Sequence, residues 1–341
     1  MLAGFVVYQS SGFIRKANFS GQKLLHAVAG ANLYLLLLPI IVIYGCYAVR
    51  ALRWKLFQGN LGTSRFWVIY KMTLAGFAAI FMLGRAGEPV RPLLLSRKEK
   101  LPYADMFGVY ALERLFDFGA TAVIGALALI LYQSHGYQTG LISQLGTWPR
   151  KAGMVLLAFV VGGILALVYL RLHGSAKLER RFQDPQQLHG LRRSIAGMLL
   201  GFVRGVQAIR NVGELVLAIF YSAVHWFLVL LVYYWGTRSF GGRLGALSLG
   251  DVMLVMAFSL VGSVVQLPAV GGGAQLASVL VYTKIFGVET EPATAAAIVL
   301  WLIGFAACSL AGVPFLIQEG LSLGKLREFA HEKEVGDITA K

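Results

Sequence analysis

The sequence is poor in charge and in cysteine. Only 14% of its 341 residues are charged, against about 25% in an average soluble domain. Negative charge is the scarcer sign: 16 acidic residues stand against 31 basic ones, for a net charge of +15. So little charge beside 57% hydrophobic residues excludes a soluble globule, which cannot hide that much apolar surface. It also excludes disorder, which needs low hydrophobicity. Two cysteines exclude a disulfide scaffold. Cys46 and Cys308 lie inside apolar runs and outside any CxxC or CxxxH pattern, so structural zinc and redox chemistry have no support, and both read as buried, hydrophobe-like side chains. Catalytic motifs are missing as well: there is no HExxH, no GxSxG, no paired DxD in a loop and no P-loop. No catalytic residue, metal site or cofactor is expected. Nor is a nucleic-acid partner, because the basic residues are spread over loops with no recognised module. What remains is an all-α polytopic membrane protein.

Long apolar runs carry that class. They cover 31–49, 66–83, 106–132, 152–170, 215–235, 252–283 and 292–318, and each is long enough to cross a hydrocarbon core. With the shorter Leu2–Tyr8 run this makes about six to eight hydrophobic segments. Residues 1–26 read as an N-terminal interfacial segment, with Leu2–Tyr8 as the remnant of a first span and Met1 not necessarily the true start. Residues 27–318 read as one transmembrane domain and 319–341 as a cytoplasmic tail. The cluster Arg50, Arg53, Trp54 and Lys55 at the end of the first long run reads as an interfacial anchor. Leu188, Leu191, Ile195, Leu199, Phe202, Val206 and Ile209 recur at helical spacing among arginines, so 186–210 is expected to be an amphipathic helix on the cytoplasmic surface.

Loop charge sets the orientation and exposes a conflict. The loops 50–65, 84–100 and 171–210 and the tail are basic, which places all of them on the cytoplasmic side. The 66–83 run therefore has an inside loop at both ends. The resolution is a segment, 66–95, that enters and returns on one side by turning at Gly84–Gly87. The 252–286 region, interrupted at 268–273, is expected to do the same from the opposite face. Two broken, re-entrant helices would give the inverted-repeat-like plan of transport folds, because non-helical backbone at membrane depth is tolerated only inside protein or against a water-filled cavity. Two ordinary kinked spans are the alternative.

Three groups of residues carry candidate chemistry. The first is Gly84-Arg85-Ala86-Gly87-Glu88-Pro89-Val90-Arg91-Pro92. Pro89 and Pro92 both fit the first turn of a helix, where a missing N–H costs nothing. A helix starting near Glu88 would aim free amides at the Gly84–Gly87 turn, with Arg85 and Arg91 beside it. Amides, a positive dipole end and two guanidinium forks make an anion site, and in a membrane the natural anion is a lipid phosphate. Arg85, Gly87, Glu88 and Arg91 are the expected phosphate-binding residues; snorkelling surface arginines are the alternative. The second group is Glu113, Arg114 and Asp117, placed at helical spacing on the next run. Ionisable residues within a span usually face the bundle interior, so Glu113 is expected to partner Arg85 or Arg91. The third is Gln266, Pro268, Gly271, Gly272, Gly273 and Gln275, a helix break whose glycines admit close backbone approach and expose amides along a lipid path. His225 is expected to be a packed, hydrogen-bonded histidine rather than a proton relay.

The GRAGEPVRP block, the ERLFD at 113–117 and the LPAVGGG at 267–273 together resemble the lysylphosphatidylglycerol synthase transmembrane-region family, a flippase-like family of inner-membrane proteins. The likeness runs in order over roughly 30–318. It implies a flippase-like protein of a bacterial or archaeal cell membrane that binds and translocates or presents an anionic lipid or lipid intermediate. Two alternatives stand beside it: a non-catalytic membrane partner of a lipid or cell-envelope synthesis enzyme, and a membrane-embedded lipid-modifying enzyme using Glu113, Asp117 or His225. The sequence departs from the family pattern at Ala274, Gln275, Leu276 and Ala277, where members often carry a Glu after the glycines. If that Glu serves a cationic head group elsewhere, a lysyl lipid is not the expected ligand here.

Overall fold

The computed structural model describes residues 21–59, 61–131, 147–173, 211–267 and 271–320. Among them the chain is helical apart from one two-stranded turn and the short links between elements. The helices are α1 (Gly21–Ala29), α2 (Leu33–Gln58), α3 (Phe66–Leu83), α4 (Val90–Glu99), α5 (Tyr103–Leu131), α6 (Trp148–His173), α7 (Val212–Arg238), α8 (Gly242–Ala246), α9 (Leu249–Gly262), α10 (Gly273–Leu280), α11 (Thr290–Trp301) and α12 (Cys308–Gln318). Five segments among the described residues are long and apolar enough to span: Leu33–Gln58, Phe66–Gly87, Tyr103–Leu131, Val212–Arg238 and Thr290–Gln318. The last unites α11 and α12 through a π-helical stretch, Leu302–Ala307. The expected surface helix at 186–210, Pro268 and the tail beyond 320 lie outside the described residues, as do residues 1–20 of the N-terminal segment.

Two helical hairpins organise the molecule. In the first, α3 runs in, a 3-10 turn at Gly84–Gly87 reverses the chain, and α4 runs back. Gly84 takes a φ of 63°, a conformation that glycine adopts without steric cost. A Cβ on Gly76 would lie 2.5 Å from Arg91 Cβ, so only glycine lets α4 return this closely along α3. Gly62 before the hairpin lies against Leu101 after it, 3.5 Å from a Cβ position to Leu101 Cδ2. The hairpin therefore leaves where it entered. The second hairpin pairs α9 with α10 across β1 (Gln266–Leu267) and β2 (Gly271–Gly272), which are antiparallel with Gln266 opposite Gly272. Its base closes the same way: Arg243 Nη1 donates to the Gly287 carbonyl at 2.6 Å. A reciprocal Ser248–Asp251 capping box starts α9, which satisfies two amides that the helix itself cannot.

The two hairpins enter from opposite ends. α2 has 26 residues and so spans about 39 Å. Its N-terminus sits beside the second base, where the Asn32 amide donates to the Ser239 carbonyl at 2.7 Å. Its C-terminus sits beside the first, where the Gln58 side chain donates to Ser64 Oγ at 2.5 Å. The tips meet between them. The break in the second hairpin comes earlier than the proline and glycines suggested: α9 already ends at Gly262, and the chain turns from Ser263 onward. The 252–283 run is continuous in apolarity, and apolarity alone does not mark where backbone hydrogen bonding stops.

Packing is by small residues as much as by large ones. A Cβ on Gly312 of α12 would run into the backbone of α3 at Leu74, and one on Gly262 into Gly273 and Ala277. Close helix crossings of this kind are how apolar spans associate when lipid is as hydrophobic as leucine. Cys46 and Cys308 are buried in one apolar cluster with Ile43, Tyr47, Leu74, Val232 and Ile303, as expected of hydrophobe-like thiols.

Candidate functional site: a charge network and a cavity between hairpin tips

α2 carries the first surprise. The apolar run stops at Arg50, but the helix continues to Gln58. Ile43, Cys46, Tyr47, Arg50, Arg53, Trp54, Phe57 and Gln58 are all buried; they recur three and four residues apart and so form one stripe. The stripe is apolar in its first half and ionic in its second. Arg50 and Arg53 are therefore not the interfacial anchors that the sequence suggested. A helix face, not distance from the first charge, decides which residues point inward.

Their partner is α5. Asp117 accepts from Arg50 Nη2 through Oδ2 and from Arg53 Nη2 through Oδ1, both at 2.6 Å. Arg114 Nη2 lies 2.8 Å from the same carboxylate. Glu113, with no exposure, accepts from Arg91 Nη1 at 2.9 and 3.0 Å and from Arg114 Nη2 at 3.0 Å. Arg50 Nε stands 3.6 Å from it. Of the two expected partners for Glu113, the structure brings up Arg91. Arg91 also stacks over the Trp54 ring at 4.2 Å, a cation–π contact that strengthens when desolvated. Trp54 is itself fixed by Nε1–H donation to Gln58 at 3.0 Å. Arg53 further donates to Ser222 of α7 at 2.8 Å. Four guanidinium groups on three helices thus share two carboxylates.

Arg85 does something different. From the first tip it reaches the second: Nε donates to the Val264 carbonyl and Nη2 to the Ser263 carbonyl, each at 3.0 Å. Nη1 donates to Glu88 at 3.0 Å, and the Tyr110 hydroxyl donates to the other oxygen of Glu88. Arg85 remains 49% exposed. Gly87 is buried, and a Cβ there would meet the backbone of α3 at Ala79 and Ile80, so its role in this geometry is to press the turn onto α3. At the second tip the amide of Gly272 donates to Gln275 Oε1 and that of Gly273 to the Val265 carbonyl, both at 2.8 Å. Those two amides serve the turn and are not exposed as the sequence reading had them.

A cavity of about 280 Å³ lies between the tips. Its polar lining includes Arg50, Arg85, Glu88, Arg114, Gln266, Gly272 and Gln275; Phe77, Trp226, Trp301 and Phe305 are among its apolar walls. The first two motifs meet there with the third, although they are far apart in sequence. Arg91, Glu113 and Asp117 stand behind the wall and hold Arg50 and Arg114 in place. His225 faces the cavity and donates through Nδ1 to the Cys46 carbonyl at 3.0 Å, the packed arrangement expected of it. The π stretch of the last span contributes Gly304 and Phe305, consistent with π segments being common at functional sites. Sequence reasoning missed Arg50 and Arg53; the available signal was their i, i+3 spacing, complementary to Glu113 and Asp117 at i, i+4.

The family model described as "Lysylphosphatidylglycerol synthase TM region" matches residues 1–312. No curated protein matches the chain. The chain belongs to this family of integral membrane proteins.

Proposed function

We propose that this member of the lysylphosphatidylglycerol synthase TM region family binds an anionic lipid, or lipid intermediate, at the hairpin tips and translocates or presents it across a prokaryotic cell membrane. What supports the reading is the cavity itself, which is lined by two kinds of group: Arg50, Arg85 and Arg114, and aromatic and aliphatic side chains. A phosphate fits the first and an acyl or prenyl chain the second, since ligand sites combine apolar walls with a few converging polar groups. Arg85 would contact the phosphate directly and release Ser263 and Val264 as it does so. Arg91 and Glu113 would act behind the wall, as positioning residues. The base formed by Gln58, Gly62, Ser64 and Leu101 would face the cytoplasm, by its excess of basic loops.

The test is lipid flipping by the purified chain in proteoliposomes, with fluorescent anionic lipid and dithionite quenching. Arg85→Ala is expected to slow transfer at least tenfold with the fold intact. An unchanged rate in folded Arg85→Ala and Arg91→Ala proteins rejects the site assignment. Inert protein that co-purifies with a lipid-synthesis enzyme would favour the partner-subunit reading instead.

A further inference from the structure

The charge balance of the cavity wall and of the ion-pair network directly behind it narrows the chemistry of the ligand, and the argument rests on the reading that this cavity holds an anionic head group. Among the described residues, α2 contributes Arg50 and Arg53, the first tip Arg85 and Glu88, α4 contributes Arg91, and α5 contributes Glu113, Arg114 and Asp117. Five guanidinium groups therefore meet three carboxylates, a surplus of two positive charges. Among the described residues no other carboxylate lies within 4.0 Å of these arginines: Glu291 meets Lys23 and Glu319 meets Lys98. His225 of α7 donates to a carbonyl, and Tyr110 of α5 gives its hydroxyl proton to Glu88. Three of the five guanidinium groups are buried, Arg50, Arg53 and Arg91 each being under one-tenth exposed, while Arg85 and Arg114 open partly outward at 49% and 31% exposure. Arg50 Nε, Arg53 Nε, Arg91 Nε and Nη2, and Arg114 Nε lack hydrogen-bond acceptors. Uncompensated charge at membrane depth is costly and marks function.

We infer that the cavity is built for a lipid ending in a phosphomonoester, whose head group carries two negative charges, in preference to a phosphodiester carrying one. A dianion cancels the surplus, a monoanion leaves half of it, and a zwitterionic or cationic head group leaves all of it or adds to it. Three terminal oxygens also suit three guanidinium groups, those of Arg50, Arg85 and Arg114, better than the two free oxygens of a diester. Because the second ionisation of a phosphomonoester falls near about pH 6, the preference carries its own control: it exists above that pH and vanishes below it, while a diester stays monoanionic throughout.

The experiment measures binding of dioctanoyl phosphatidic acid, dioctanoyl phosphatidylglycerol and dioctanoyl phosphatidylcholine to the full chain in nanodiscs, by calorimetry at pH 8 and pH 5. The expected result is phosphatidic acid tighter than phosphatidylglycerol by at least tenfold at pH 8, with the two converging at pH 5. Arg114→Gln, which removes one surplus charge, should shrink the pH 8 ratio several-fold; the wild-type pH series decides the matter if that variant does not fold. Equal affinities for the two anionic lipids at pH 8, both above phosphatidylcholine, overturn this inference and leave the anionic-lipid reading standing. A phosphatidic acid preference that is the same at both pH values also overturns it, because charge would not be the cause. No distinction among the three lipids overturns both readings.

Discussion

At the residue scale, Asp117 makes the shortest ion pairs among the described side chains, two at 2.6 Å, as three arginines converge on its two oxygens. Asp117→Asn preserves its shape and removes its charge, which leaves the buried Arg50 and Arg53 with only the more distant Glu113, at 3.6 and 4.0 Å, as counter-ion. Breaking a buried pair from one side costs about 3–5 kcal/mol, so a large fall in melting temperature is expected in detergent. A stability within error of wild type would mean that the arginines are hydrated in solution. Trp54 tests a second contact. Trp54→Leu removes the ring beneath Arg91 and the donor to Gln58, for an expected loss of about 2 kcal/mol or more. Trp54→Phe keeps the ring and should recover part of it, read by the same melting curve. Glu113 and Asp117 were legible as one face of a helix from their spacing. Arg50 and Arg53 were not, because beside Trp54 and Lys55 an arginine reads equally well as an anchor in the headgroup layer. Only the partner helix separates the two readings.

At the element scale, glycines decide what the hairpins can do. Gly272 holds a φ of 139° at the end of β2, a conformation that costs other residues about 1–3 kcal/mol. Gly272→Ala should shift the second tip and weaken its contact with Arg85. Lipid transfer is then expected to fall more than global stability does, a split visible by comparing flipping rate with melting temperature. Gly312→Leu acts elsewhere, by driving a side chain into α3 at Leu74. Overpacking typically costs about 1–3 kcal/mol, so this variant should lose stability and activity together. The Gly84–Gly87 turn and the return helix after it were readable from glycine and proline chemistry. The start of the second break, at Gly262–Ser263, was not: no proline or charge marks it, and the close approach of Gly262 to Gly273 emerges only once the hairpin has formed.

At the scale of the whole molecule, the two hairpin bases lie at opposite ends of α2 while the tips share a cavity. Single cysteines at exposed Thr63, beside the first base, and exposed Lys284, beside the second, should therefore label from opposite sides of sealed vesicles; the native Cys46 and Cys308 are buried. Labelling of both from one side would refute the arrangement. By itself the sequence determined the membrane class, the approximate spans, the family and the reversal of both broken helices, because apolar length, loop charge and turn chemistry are local properties. The tertiary structure alone decided which arginines leave the surface, which carboxylate each one meets, and that Arg85 joins the two tips. Those are pairings between residues as far apart as Arg85 and Val264. A charge surplus is likewise a property of a packed neighbourhood: the net +15 of the chain could not reveal the surplus of two that surrounds the cavity.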